Sequence, residues 1–198
     1  MQLYDSSPIL LIVRLSRKEE HTSQKKQFGG FKKMKKITAI LAALFIGSVF
    51  CFADPAEGYW ISYDEKTNEA TAGWYIYQKD GKLFGTMTAV HGEPQDQVAY
   101  GAKKDAPKDF PKQGPLCEMV MVGTDWIYNL EQISEGNWGK GNIVDPGDGT
   151  KYGCKIKFHA ADGKKYDVDT LEMRGSVGPI GRSQYWKKAT EEEARAIR

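Results

Sequence analysis

Residues 70–90 read ATAGWYIYQKDGKLFGTMTAV, which is two short segments rich in aromatic and β-branched residues on either side of a turn sequence. The segments 70–78 and 82–90 have the length and composition of β-strands. Asp80-Gly81 lies between them, and this pair suits a tight hairpin because both central positions of such a turn favour residues that adopt positive φ. The stretch therefore predicts an antiparallel β-hairpin.

Both faces of the first of these strands are apolar. Side chains alternate between the two faces of a strand, so Trp74 and Ile76 share one face, and Tyr75 and Tyr77 share the other. Either face could be buried. This predicts a central strand, or a strand whose second face is covered by another segment of the chain.

The same pattern of short strand-like segments and turns continues through the chain after Gly58. Turn sequences rich in Asp, Gly and Pro recur at 145–149 and 162–163. Residues 190–193 (TEEE) form a capping box and predict a short C-terminal helix. The remaining predicted strands are 59–64, 117–123, 125–130, 141–145, 151–159, 170–177 and 181–188. Together these elements predict an all-β domain, either a single antiparallel barrel or a sandwich.

The first quarter of the chain differs in kind from the rest. Residues 54–198 contain all five Trp and carry 19 Lys+Arg against 23 Asp+Glu, a net charge of −4, whereas residues 1–53 carry 9 against 3. About 145 residues suffice for one domain with a sizeable core. A negative net charge without a basic face excludes nucleic acid as the expected partner.

Residues 34–53 (MKKITAILAALFIGSVFCFA) have the charged start, short apolar run and small residues of a secretory signal peptide. Small residues at Cys51 and Ala53 predict cleavage after Ala53, so we expect a periplasmic or secreted protein, with residues 1–33 an extension from an upstream start. The apolar run 37–50 is short for a transmembrane helix, which needs about 20 residues. A membrane anchor and lipidation of Cys51 are the alternatives.

Residues 91–115 hold four of the eight Pro and few large apolar side chains, which predicts a long loop between strands. Tyr100 and Phe110 are the candidate anchors within it. With so few anchors we expect a mobile loop, and a lid over a binding site is the alternative.

The pattern of His, Gly and acidic residues argues against most enzyme chemistries. His91 and His159 are far apart in sequence and have no Cys-x-x-Cys or His-x-His partner, so neither a zinc site nor a nucleophile–base pair is predicted. No phosphate-binding loop opens a helix. The acidic turn 145–149 lacks the ligand spacing of a calcium loop. We therefore expect no catalytic residue, metal or cofactor.

Two carboxylates leave one enzymatic hypothesis open. Glu118 and Glu172 lie in strand-like segments and are the acids that could face the interior, where a carboxylate pair could hydrolyse a glycoside. Their simpler interpretation is as solvent-facing positions of half-exposed strands.

Cys117 and Cys154 are the cysteines that remain after the predicted cleavage. An oxidising compartment favours a disulfide between them, which would be worth roughly 4 kcal/mol from the entropy of the loop it closes. Such a bond requires Cα atoms within about 7 Å, and the two predicted strands need not be neighbours. Two buried free thiols are the alternative.

A combination of short motifs along the chain resembles one bacterial family, called domain of unknown function 2147. The motifs are 58–60 (GYW), 79–85 (KDGKLFG), 139–146 (GKGNIVDP), 151–152 (KY), 173–175 (MRG) and 181–186 (GRSQYW). The resemblance covers nearly all of 54–198 and departs in the loop 91–115 and at 162–171. It implies an exported envelope protein with an antiparallel, lipocalin-like β-barrel of about eight strands, without catalytic residues to transfer.

In a barrel of the lipocalin type, a Trp at the start of the first strand is covered by a cation from the last strand. Here Trp60 would be that indole and Arg182 or Lys188 the cation, with Trp186 also at the barrel floor. A stacked cation contributes about 0.5 to 2 kcal/mol. We interpret these four residues as structural closure of the barrel, with ligand contact as the alternative.

If the barrel holds a ligand, we expect a small, partly apolar or anionic molecule at its mouth. The candidate contacts are Trp74, Tyr75, Tyr77, Arg174 and Tyr185. Arg174 would point to solvent if Leu171 and Met173 face the core. The alternative to a carrier is a barrel filled with side chains that acts through protein contacts, because about eight strands enclose a space that side chains can fill.

Overall fold

The computed structural model describes residues 53–100 and 104–198, which form a closed antiparallel barrel of eight strands followed by a short helix. The strands are β1 Gly58–Tyr63, β2 Ala70–Lys79, β3 Lys82–Val90, β4 Asp125–Ser134, β5 Asn137–Val144, β6 Lys151–His159, β7 Thr170–Val177 and β8 Ile180–Ala189, and the helix is α1 Glu191–Arg195. Each strand pairs with the next, and β8 pairs with β1. The predicted all-β, lipocalin-like barrel with a C-terminal helix is confirmed.

The predicted strand 117–123 is wrong. Leu116–Glu118 is a single 3₁₀ turn, and the segment after it makes isolated bridges, Val120 to Val98 and Val122 to Met87 of β3, without forming a strand of the barrel. Leu116 and Met119 are buried, which explains why the segment is apolar. This apolar composition resembled that of a strand and led to the wrong prediction.

The strands predicted at 125–130 and 141–145 are parts of longer ones, since β4 and β5 form one hairpin that turns at Gly136. Asn129 and Lys140 adopt positive φ within these strands, where the β3–β4 and β5–β6 registers shift. At such bulges the alternation of inward and outward side chains changes phase. The alternation in the sequence is therefore interrupted at both positions, and the predicted strands were too short.

The barrel has two distinct ends. The floor is the end at which the chain enters through residues 54–57 and at which the β2–β3 and β4–β5 hairpins turn; the mouth is the opposite end. The interior at the floor is filled by side chains with almost no exposure: Trp60, Ile76, Leu83, Leu130, Trp138, Ile156 and Leu171. All of these core residues belong to the barrel strands.

The long loop covers the outside of the barrel. Phe110 is 3% exposed and packs against Trp126 and Tyr128 of β4, with ring centroids 5.7 and 5.1 Å apart. Tyr100, the other expected anchor, is 57% exposed and anchors nothing in the core. Buried Ala106 adds a contact that composition did not predict. The described parts of the loop therefore do not form a lid over the mouth.

Helix α1 packs on the outer face of β1, β2 and β3. Thr190 caps it as predicted, with its hydroxyl accepting from the Glu193 N–H and the Glu193 carboxylate accepting from the Thr190 N–H. Ala194 is fully buried, and its carbonyl accepts a hydrogen bond from Thr88. Gly73 makes this approach possible, because a Cβ there would lie 1.8 Å from the Ala194 oxygen.

Candidate functional site

The mouth of the barrel contains a cavity of about 490 Å³. Every strand except β4 contributes residues to its lining, and so does the β5–β6 turn. The lining residues are Ser62, Thr71, Ala72, Trp74, Met87, Val90, Ile143, Asp145, Pro146, Tyr152, Met173, Gly175, Arg182, Gln184 and Trp186. The interior is therefore solid at the floor and open at the mouth.

The base of the cavity is a pair of stacked indoles. Trp74 and Trp186 lie with ring centroids 4.8 Å apart and planes 18° from parallel. Both indole N–H groups are satisfied, because Trp74 donates to the Ser62 hydroxyl and Trp186 donates to the Gln184 amide oxygen, each at 3.2 Å. Satisfied donors and close stacking hold the rings in one orientation, which gives the cavity a rigid, flat apolar base.

The wall of the cavity carries polar groups on two sides. On one side the hydroxyls of Ser62 and Thr71 lie 2.7 Å apart and share a hydrogen bond. On the other, Arg182 reaches the rim, where its guanidinium donates to Glu65 at 2.8 and 3.2 Å. Gln184 lies between this rim and the indole pair. The cavity thus runs from an apolar base to a polar opening.

Of the five predicted ligand contacts, Trp74 alone lines this cavity. Tyr75 and Tyr77 follow Trp74 on the opposite face of β2 and point out of the barrel, where they stack on each other at 5.4 Å. Arg174 and Tyr185 also lie outside, because Met173 and Trp186 take the inward positions on β7 and β8. These four residues therefore do not line the cavity, because the sequence pattern did not fix which face of each strand was inside.

The outward tyrosines form a continuous row with their neighbours. Tyr59 stacks on Tyr75 at 4.7 Å, and Tyr77 stacks on Phe84 at 5.9 Å. The Tyr77 hydroxyl donates to the Asp125 carboxylate. Burial raises the pKa of Tyr77 to about 12, and the charge of Asp125 adds to that rise.

At the floor, Lys188 covers Trp60 with its Nζ 4.3 Å from the ring centroid. The two other residues predicted to close the barrel lie elsewhere. Arg182 pairs with Glu65 at the mouth, because it is near the start of β8 and Lys188 is near its end. Trp186 belongs to the base of the cavity.

The predicted disulfide is not formed, since Cys117 and Cys154 are both free. Cys154 points into the barrel from β6 and is 1% exposed, whereas Cys117 is on the 3₁₀ turn outside the sheet. Burial raises the pKa of the Cys154 thiol to about 12. This thiol is an apolar core group at neutral pH.

Neither acid of the hydrolase hypothesis faces the interior. Glu118 is exposed on the 3₁₀ turn. Glu172 lies on the outer face of β7, where it binds His159 at 3.1 Å and accepts from Ser183 at 2.8 Å. Burial raises the pKa of Glu172, but the hydrogen bonds from His159 and Ser183 outweigh that effect and lower it. Ser183 and His159 both bind the carboxylate, which is not the serine–histidine contact of a catalytic triad.

Sequence reasoning missed most of the cavity wall and one buried acid. Ser62 and Thr71 lie in no motif, and Gln184 lies in the motif 181–186 without a predicted role. All three are recognisable only when strand faces are assigned around a closed barrel. Asp54 is 7% exposed, with four hydrogen bonds to its carboxylate at the floor. It gave no signal because it lies before the first strand.

Within 53–100 and 104–198, no group of three or more His, Cys, Asp or Glu side chains is arranged to hold a metal ion. The same residues include no helix with the length and apolar character needed to cross a membrane.

Comparisons with known proteins identify a similar family and a similar structure. Residues 58–188 match a family described as an uncharacterized protein conserved in bacteria, DUF2147. The fold is similar to that of HP1028 from the human pathogen Helicobacter pylori, described as belonging to the lipocalin family, with a TM-score of 0.53 and 15% identity over 72% of this chain and 88% of that one. No curated protein matches the chain.

Proposed function

The chain belongs to DUF2147, a family described as uncharacterized protein conserved in bacteria, and we propose that it is a non-catalytic carrier of a small, partly apolar ligand in the cell envelope. The observation that carries this proposal is the cavity above the Trp74–Trp186 pair. Its volume of about 490 Å³ suits a small molecule, since ligand pockets are typically about 300–1,000 Å³.

The lining predicts how such a ligand lies. Its apolar part rests on the two indoles and against Met87 and Met173, where burial of apolar surface is the main source of affinity. Its polar part points to the mouth, within reach of Thr71 and Arg182. An anionic or neutral polar end group fits this arrangement, with Arg182 exchanging part of its contact with Glu65 for the ligand.

The proposed location rests on the sequence 34–53. A charged start, a short apolar run and small residues at 51 and 53 are typical of an export signal. The complete barrel core after residue 53 is consistent with a domain that folds once the signal is removed. In the envelope such a carrier has access to amphipathic molecules released from membranes or imported through the outer surface.

The second candidate, a barrel that acts through protein contacts alone, is favoured by the solid packing at the floor. That packing involves only the floor of the barrel. The open cavity at the mouth favours the carrier over a barrel that is filled with side chains. The third, a hydrolase that uses Glu118 or Glu172, has no support from the cavity, because both acids lie outside it.

The test uses residues 54–198 and the fluorescent probe 8-anilinonaphthalene-1-sulfonate, which has an apolar aromatic body and an anionic group. Gly175 lines the cavity, and a Cβ there meets only Tyr152 at 3.8 Å, so Gly175→Leu places a side chain in the cavity at little steric cost. Gly153→Leu is the matched control, because Gly153 is on the outward face of the neighbouring strand with a nearest contact of 3.6 Å.

We expect Gly175→Leu to weaken binding of the probe by at least about tenfold, equal to about 1.4 kcal/mol, while Gly153→Leu binds like the original protein. Equal affinity in the two variants would show that the cavity is not the binding site. Native mass spectrometry of the protein purified from its host's periplasm then gives the mass of any natural ligand. A bare chain that also binds no lipid, haem or small anion would favour the protein-contact barrel instead.

A further inference from the structure

The segment Asp54–Glu57 closes the floor of the barrel. The carboxylate of Asp54 accepts four hydrogen bonds: from the Ala56 N–H at 2.9 Å, the Trp138 indole at 3.1 Å, the Gln132 amide at 2.9 Å and the Gly136 N–H at 3.0 Å. These donors fill the acceptor sites of an ionised carboxylate. Asp54 therefore ties the entering chain to the β4–β5 hairpin.

This carboxylate is buried without a cation. Asp54 is the one acid among the buried residues of the described part of the chain, and no ion pair there includes it. Neutral donors offset the loss of water, but a buried charge is costly when it has no ion-pair partner. The ammonium of Lys188 also lies at this end of the barrel, where it donates to the Glu57 carbonyl and not to Asp54. A positive charge beside Asp54 would complete the site.

The backbone nitrogen of Asp54 points at a second carboxylate. It donates to Glu57 Oε1 at 2.9 Å. The Glu57 carboxylate is held in place by the Gln78 side chain at 2.6 Å and the Gln78 N–H at 3.4 Å. Ala53, the residue before, is exposed. The nitrogen of Asp54 is thus hydrogen-bonded to one positioned acid, Glu57, and belongs to the same residue as another, the Asp54 carboxylate.

We propose that hydrolysis of the Ala53–Asp54 peptide bond completes the barrel floor, because the α-ammonium group released at Asp54 places a cation directly beside the carboxylates of Asp54 and Glu57. An export-associated endopeptidase that reads small residues at 51 and 53 adds one water, leaving a carboxylate on Ala53 and an ammonium on Asp54. This inference rests on the export proposed above, and it makes removal of the signal a stabilising step for the folded domain.

The charge has a defined pH dependence. An α-amino group has a pKa of about 7.7–8.0 when unperturbed, and a nearby carboxylate favours its charged form. The pKa in the folded protein is then higher than in the unfolded chain. The stabilisation is complete below about pH 7.7 and is lost as the pH rises through the folded-state pKa.

The test compares residues 54–198 with a free amino terminus and the same chain acetylated at that amine, which keeps the N–H donor and removes the charge. At pH 6 we expect the free form to melt several degrees higher, and at pH 10 we expect equal melting temperatures. In Glu57→Gln the difference between the free and acetylated forms should shrink at pH 6. Equal melting of the two forms at pH 6 in the original sequence overturns the proposal.

N-terminal sequencing of the full chain expressed in a bacterium that exports proteins checks the cleavage itself. Asp54 as the first residue of an envelope fraction supports the proposal, and a first residue at any other position contradicts it. Uncleaved chain retained in the cytoplasm would refute the proposed export. The melting comparison does not depend on export, and neither result depends on the ligand. Failure of the proposed stabilisation can therefore be told apart from failure of the proposed export and of the proposed carrier function.

Discussion

The Nζ of Lys188 lies 4.3 Å from the centroid of the Trp60 ring and donates a 2.6 Å hydrogen bond to the carbonyl oxygen of Glu57. The Trp60 indole in turn donates to the Ala56 carbonyl at 3.0 Å. One cation therefore joins the last strand, the first strand and the segment that enters the barrel. We expect loss of this contact to weaken the barrel where its first and last strands pair.

We predict that Lys188→Met lowers the free energy of unfolding by about 1–3 kcal/mol, because it removes the cation from the ring and leaves the Glu57 carbonyl without its donor. Urea unfolding of residues 54–198 measures this. Lys187→Met is the control, since Lys187 is next in the same strand but lies over the outer Tyr63 ring, and we expect it to cost less than 1 kcal/mol. Equal costs for the two variants would contradict the closing role of Lys188.

Phe110 should account for most of the attachment of the long loop. Phe110→Ala leaves a cavity over Trp126 and Tyr128, and we expect a cost of about 3–5 kcal/mol in urea unfolding. Tyr100→Ala in the same loop should cost no more than about 0.5 kcal/mol, because Tyr100 is 57% exposed. A small effect of Phe110→Ala would mean that the loop adds little to the stability of the barrel.

The two thiols should differ in reactivity. Burial raises the pKa of Cys154 to about 12, so its reactive thiolate is scarce at pH 8, while Cys117 is only half-buried. For residues 54–198 without reductant, we expect a thiol reagent to modify Cys117 in the folded protein and both cysteines after denaturation. Modification that requires prior reduction would instead show a disulfide.

Tyr77 should titrate late and destabilise the protein at alkaline pH. Its pKa is raised to about 12 by burial and by the charge of Asp125, so the folded protein holds this proton more tightly than the unfolded chain. The resulting stability is present below about pH 10 and is lost as the pH rises towards 12. Asp125→Asn should lower this pKa, because it removes the negative charge beside the Tyr77 hydroxyl.

Absorbance at 295 nm after a rapid pH jump measures this titration, and subtraction of the curve for Tyr77→Phe isolates the contribution of Tyr77. An unchanged titration in Asp125→Asn would show that burial alone sets the pKa.

Gly73 should be required for the docking of helix α1. In Gly73→Ala the new Cβ would meet the Ala194 carbonyl, which belongs to backbone and cannot rotate away. We expect a loss of about 1–3 kcal/mol and faster proteolysis of the C-terminal residues. Gly153→Ala, with its nearest contact at 3.6 Å, is the control and should change stability little. Equal stability of the two variants would show that α1 adjusts without cost.

The parts of the fold that the sequence predicted are those that depend on residues close together in the chain. The hairpin at Asp80-Gly81, the strands around it and the Thr190 capping box were predicted because each depends on residues a few positions apart. Alternation with a period of two, and turn residues that accept positive φ, act within one element. The predicted strand bounds were wrong around Asn129 and Lys140, where a bulge within a strand changes the phase of that alternation.

The candidate site was predictable only in part for a related reason. Trp74 was identified because it is a large aromatic residue in the clearly predicted strand β2. Its partner Trp186 and the polar groups of Ser62 and Gln184 come from β1 and β8, the first and last strands of the barrel. Which face of each strand is inward depends on register around the whole barrel. A shift of one residue moves every side chain of a strand to the other face.

By itself, the sequence located the eight barrel strands along the chain, their hairpin turns and the terminal helix, because those features follow from local periodicity and turn chemistry; the same local pattern also predicted a ninth strand at 117–123 that does not form. Closure of the barrel decided the rest: the open cavity at the mouth, the outward row of tyrosines, the separation of Cys117 from Cys154, and the burial of Asp54 at the floor. Each of these depends on contacts between residues distant in sequence, which form only when the strands assemble around the barrel.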